Sequence, residues 1–251
     1  SLLASYISYL IYNFFLFSVV AIAQLFYLFP ALVFVVTENT KAVSYQLSAV
    51  SWIYKRPLYT KIAKGIAIFS FIYLLFSIFQ LWYADTIFNK GQRASELGNP
   101  GRAYNFLSYA VKLNTNEPFY RSEMAYNAAG AALALADSEA TLSAALKDEA
   151  AYEMEAVLNN SPKNVSYLRT AIRTYFELSS LDEIYTDKTL ETLDKAINLA
   201  PTDPKLYYNK ALILDSEGQK EESVKVLQKA IELKPNYLEA KAQLEARSSQ
   251  P

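Results

Sequence analysis

LDKAINLAPTDPKLYYNKALILDSEGQKEESVKVLQKAIELKP, residues 193–235, contains its own repeat. Residues 193–199 (LDKAINL) and 227–233 (LQKAIEL) share the pattern Leu-x-x-Ala-Ile-x-Leu, 34 residues apart, and Pro201 and Pro235 follow them at the same offset. Leucine, alanine and isoleucine at these spacings fall on one face of a helix, and each proline marks its end. Between the two copies a second helical pattern carries Tyr207, Ala211 and Leu214 and stops at Gly218, where an inter-helix turn needs glycine's backbone freedom. The unit is therefore helix, turn, helix, proline. Ala196, Ala211 and Ala230 let helices approach, while Leu193 and Leu227 fill the space between them. That is a packing pattern and specifies no chemistry.

Outward from this unit, residues 107–113 (LSYAVKL) give a third copy, with Leu107 and Ala110 at its large and small positions. Gly98 precedes Leu107 by nine residues, as Gly218 precedes Leu227, and Gly91 lies one helix earlier. The middle is degenerate: 120–136 and 144–158 read as one extended pair, 165–178 as the opening of the next, and 179–187 as a long turn. A 34-residue period of this kind resembles the tetratricopeptide repeat over roughly residues 85–245. Tyr207, Ala211, Leu214, Gly218, Leu227, Ala230 and Pro235 stand at its characteristic positions, whereas Lys210 and Ser223 depart from its usual leucine and alanine. The resemblance implies an all-α solenoid of about four repeats over 85–251, with a groove that takes a protein or peptide partner.

The chain before the solenoid has another character. Residues 62–83, IAKGIAIFSFIYLLFSIFQLWY, hold no charge from Gly65 to Leu81. At about 1.5 Å per residue they match a hydrocarbon core of about 30 Å, so we read 62–84 as a transmembrane helix. Lys61 and Lys64 flank one end, and Trp82, Tyr83 and Asp85 the other. Residues 1–36 form a second transmembrane segment, too long for one perpendicular span and broken around 13–18 or kinked at Pro30. Asn13 and Gln24 within it read either as part of a substrate path or as hydrogen-bonding partners of further helices. Residues 37–61 make a basic loop, cytoplasmic by the positive-inside rule, which places the solenoid on the other face of the membrane, periplasmic or extracellular. Residues 1–84 carry five Lys or Arg against one acid, so the net charge of −1 conceals a basic membrane half and an acidic solenoid. Neither half has the basic surface that nucleic acid requires.

The 251 residues include no cysteine and no histidine, which excludes thiol nucleophiles, thiolate metal sites, disulfides and histidine bases within the chain. We assign no catalytic, cofactor-binding or metal residue. The pairs Asp148 with Glu149, Glu153 with Glu155, and Glu221 with Glu222 read as solvated helix faces. Asn164 satisfies the Asn-x-Ser acceptor pattern, and groove candidates are Tyr126, Asn127, Arg169, Arg173, Tyr208 and Asn209.

The order of parts, YLIYNFFLFSVVAIAQLFYLFPAL with its NFFLFS run at 13–18 followed by Leu25 and Phe26, then a basic loop with KRP, then a span leading into helical repeats, resembles the C-terminal end of bacterial O-antigen ligase or polymerase-like membrane proteins. Members transfer glycan from a polyprenyl-diphosphate carrier using basic and histidine residues of a large external loop, and this chain holds neither that loop nor a histidine. The resemblance implies the non-catalytic C-terminal region of a longer multi-pass protein of envelope glycan assembly, whose solenoid docks partners or acceptors of that machinery. The other reading is a membrane-anchored scaffold whose solenoid binds a peptide or helix, with no link to glycan transfer.

Overall fold

A computed structural model describes residues 57–248, and every regular element among them is a helix. The span expected over 1–36 and the loop expected over 37–61, save its last residues, lie outside the described residues. In chain order the helices are α1 (Pro57–Glu96), α2 (Pro100–Leu113), α3 (Pro118–Leu135), α4 (Ala140–Asn160), α5 (Val165–Ser179), α6 (Ile184–Leu199), α7 (Pro204–Ser216), α8 (Lys220–Leu233) and α9 (Leu238–Ser248). The chain divides into two compact units, Ser1–Phe79 and Gln80–Pro251, so α1 contributes residues to both.

α1 extends beyond the expected 62–84 at both ends. Pro57 suits a first helical position, because its missing N–H would have had no partner there. At the other end the change from apolar to polar side chains at Asp85 does not disturb the backbone, and no proline follows until Pro100. Lys64–Glu96 is long and apolar enough, by length and composition, to cross a membrane. Many of its apolar residues before Asp85 are bare, Ile66, Phe69 and Phe76 being 61%, 72% and 64% exposed, whereas Ala84, Ile87 and Phe88 are buried.

From Gln80 onward the helices pair as α1 with α2, α3 with α4, α5 with α6 and α7 with α8, and α9 packs on α8. Two of the turns inside pairs are the same device. Gly98, at φ +70°, donates to the Ser95 carbonyl while Asn99 donates to Ala94, and Gly218, at φ +76°, donates to Asp215 while Gln219 donates to Leu214. Each glycine supplies the left-handed residue of a Schellman cap. Turns between pairs also recur. Asn114, Ser161, Ala200 and Lys234 each donate back to the helix just ended, and each then accepts from the residue three further on. Asn99, Glu117, Asn164 and Asp203 cap the following helices with their side chains. Asn164, singled out above as a modification acceptor, thus satisfies the orphan N–H groups of α5.

The middle boundaries differ from expectation. α4 starts at Ala140 rather than 144, and the turn before α6 is confined to 180–183 because the Asp182 carboxylate accepts from the Ile184 N–H and starts that helix early. The core is a series of local clusters shared between neighbouring pairs. Ala125, Ala128, Ala129, Ala150 and Ala171 pack with Met154, Tyr175 and Leu178, while Leu168, Ile172, Leu193 and Ala196 pack with Leu206 and Ile213. Such nearest-neighbour burial is how a repeat stack is held together.

A candidate docking face on successive first helices

The sequence period reappears as a contact period. Tyr120 with Asp85, Arg121 with Glu153, Lys147 with Asp182, Lys188 with Glu155, Arg169 with Asp203 and Arg247 with Asp215 are hydrogen-bonded pairs separated by 32 to 35 residues. All but Arg121 with Glu153, which lies within the α3–α4 pair, join one helix pair to the next. Being largely at the surface, they mark register more than they stabilise. Hydrogen bonding to Lys147 lowers the Asp182 carboxyl from its ordinary value, and Arg247 does the same for Asp215.

The residues expected to build the repeats lie as follows. Leu107, Ala110, Leu193, Ala196, Ala211, Leu227 and Ala230 are fully buried. Gly91 sits against Leu107, where a Cβ would come within 2.6 Å of Cγ. Tyr207 is half-buried and donates its hydroxyl to the Pro201 carbonyl at 3.0 Å, and Pro201 and Pro235 are exposed just past the ends of α6 and α8. Both departures from the repeat pattern have partners. The Ser223 hydroxyl, fully buried, donates to the Ala211 carbonyl across α7 and α8, as Ser143 does to Ala132 across α3 and α4. Lys210 reaches Asp194 on α6 at 2.6 Å.

Two of the acidic pairs are not simply solvated. Glu149 accepts from the Tyr104 hydroxyl at 2.7 Å, and Glu153 pairs with Arg121 with its side chain only 17% exposed. α4 turns this edge toward α2 and α3, which one helix read alone does not show. Burial, aided by Glu149, pushes the Tyr104 phenol above its ordinary value of 10.0. No group of three or more metal-ligating side chains comes together among the described residues.

The groove candidates separate into two sets. Asn127 is buried and donates to the Glu123 carbonyl, Tyr208 packs its ring 5.2 Å from that of Tyr237, and the Arg169 guanidinium meets Asp203 at 2.6 Å. These three serve the fold. Arg173 is exposed, with its guanidinium carbon 3.8 Å from the centroid of the half-buried Tyr126 ring, which joins α3 to α5. Beside it lies a cleft of about 160 Å³ lined by Ile172, Arg173, Phe176, Asn209, Leu212 and Ile213, between α5 and α7. Phe176 is 53% exposed at its edge. Stacking fixes the guanidinium plane and leaves its N–H edges open to a carboxylate or carbonyl. Among the described residues Arg173 makes no ion pair. The face thus offers an apolar floor, an oriented cation and the Asn209 amide. Phe176 and Leu212 were not singled out in the sequence; the legible signal was Phe176, aromatic and one turn from Arg173 on the same side of α5.

Compared with known proteins, residues 204–237 match the family model of the tetratricopeptide repeat. Solved structures similar to this chain include MamA from Desulfovibrio magneticus RS-1, 22% identical over 66% of this chain and 83% of that one, with a TM-score of 0.47. Another is a thermophilic TPR protein of Thermus thermophilus, 16% identical over 65% of this chain and 80% of that one, with a TM-score of 0.49. No curated protein matches the chain.

Proposed function

We propose that this protein is a membrane-anchored helical-repeat scaffold. In this reading α1 spans the bilayer, and the face carrying Tyr126, Arg173, Phe176 and Asn209 takes a protein or peptide segment. The observation that carries it is α1 itself. Fully apolar side chains at 61% to 72% exposure would be costly in water, at about 25 cal/mol per Å² of apolar surface, and are at home in lipid. No enzymatic step is assigned to this chain. The resemblance of residues 13–26 and of the order of parts to O-antigen ligase and polymerase-like proteins supports a narrower proposal. The scaffold serves envelope glycan assembly from the extracytoplasmic side of a bacterial inner membrane, as the non-catalytic end of a longer protein.

The absence of cysteine allows a direct test. Ser51→Cys in the basic loop and Ser216→Cys, at an exposed position ending α7, are treated with a membrane-impermeant thiol reagent in intact cells. Labelling at 216 alone is expected. Labelling at 51 alone places the solenoid in the cytoplasm, removes the glycan reading and leaves a cytosolic-facing scaffold. Equal labelling at both sites without disrupting the cells removes the span. For the docking face, photo-crosslinking from position 176 is expected to give a discrete adduct that Arg173→Glu abolishes and that is not obtained from position 152.

A further inference from the structure

We infer that the last turn of α2 is a second membrane contact, with Tyr109, Lys112 and Leu113 seated among lipid headgroups beside Trp82 and Tyr83. The inference rests on the reading of α1 as a span. All its residues lie between Gln80 and Leu113, within one unit of the fold.

The level of this turn is fixed by two contacts. The Gln80 side-chain amide donates to the Leu113 carbonyl at 2.8 Å, and the Tyr83 ring meets the Tyr109 ring edge-on with centroids 6.5 Å apart. Gln80 lies inside the uncharged run that ends at Leu81, so the end of α2 lies alongside the turn of α1 where apolar sequence gives way to Asp85. A helix-terminal carbonyl lacks an intrahelical donor, and where water is scarce it needs another. Gln80 supplies it.

The surface there suits headgroups and no other layer. Leu81, Trp82 and Tyr109 are 51%, 62% and 46% exposed, and Lys112 is exposed beside them. Tyrosine and tryptophan present an apolar body with a polar tip, which favours the membrane–water boundary. A lysine at this level extends its ammonium to phosphate. The neighbouring carboxylates are engaged within the fold: Asp85 accepts from the Tyr120 hydroxyl at 3.2 Å, and Glu117 caps α3 through the Phe119 N–H.

The full chain is reconstituted in phosphatidylcholine–phosphatidylglycerol vesicles carrying nitroxide lipids labelled either at the headgroup or at mid-chain. A bimane fluorophore is placed at Phe69→Cys, Tyr109→Cys, Lys112→Cys or Tyr152→Cys in turn. Tyr152, 69% exposed on α4, is the distant control. Positions 109 and 112 are expected to be quenched several-fold more by headgroup nitroxide than position 152, and position 69 by mid-chain nitroxide. If 69 is quenched while 109 and 112 behave as 152, the second contact is overturned and the span stands. If 69 is not quenched, the span itself fails and the inference with it.

Discussion

Gly91 and Gly98 lie seven residues apart and are glycine for different reasons. A Cβ on Gly91 would lie 2.6 Å and 2.8 Å from Cγ and Cδ2 of the fully buried Leu107, while one on Gly98 meets nothing within 4 Å but sits on a backbone of φ +70°. Gly91→Ala overpacks the junction of α1 and α2, at a cost of about 1–3 kcal/mol, which exceeds the gain of up to about 1 kcal/mol from removing a helical glycine. A lowered unfolding midpoint is expected, with a non-additive effect when combined with Leu107→Ala. Gly98→Ala incurs only the left-handed strain, roughly 1–2 kcal/mol. The turn role of Gly98 was legible because it is local; the clash at Gly91 involves a side chain on another helix. Tyr175 carries a pH dependence. Burial, at 3% exposure, holds its phenol above the ordinary 10.0, and burial beside Asp85 pushes Tyr120 up to about 12. The unfolded phenols ionise near pH 10 and the folded ones later, so their contribution is intact below pH 10 and is lost as pH rises through the folded values. Urea unfolding between pH 9 and 11.5 should show stability falling above 10, with a shallower fall in Tyr175→Phe by up to about 1.4 kcal/mol per pH unit.

At the scale of elements, α3 and α4 approach through alanines. Ala125, Ala128, Ala129 and Ala150 are all fully buried, and the surrounding cluster is filled by Met154, Tyr175 and Leu178. Ala128→Leu forces the helices apart, and a loss of about 1–3 kcal/mol or more is expected. Because each cluster is shared only by neighbouring pairs, hydrogen exchange should quicken first in α3, α4 and α5, with α7 and α8 retaining protection longer. Uniform loss of protection along the chain would contradict this local coupling. Of the leucine–alanine pattern, Leu193, Ala196, Leu227 and Ala230 are fully buried, whereas Leu199 at its end is 43% exposed, since period marks a face but not where that face runs out of neighbours. The pattern did not show the boundaries of α4 and α6. The start of α6 was decided by the Asp182 carboxylate at the Ile184 N–H, which does not alter hydrophobic period.

For the whole molecule, anchoring depends on the apolar length of α1 and not on any one side chain. Each charge placed at the centre of such a span costs about 2.5–3.5 kcal/mol of insertion. Phe69→Asp combined with Phe76→Asp is therefore expected to move the protein from the carbonate-resistant membrane fraction to the supernatant, whereas Tyr152→Asp is not. The sequence by itself determined the helical class, the 34-residue unit at 193–235, the glycine turns at 98 and 218, and the uncharged run in α1. Each of these is written in short-range spacing, length or composition. Only the tertiary structure decided that Arg173 stacks on Tyr126, that Gln80 supplies the donor for Leu113, and that Arg169 and Tyr208 face their own fold. Those pairings tie together segments far apart in the chain, so they follow from how buried clusters rotate and offset one helix against the next, a register that no single helix encodes.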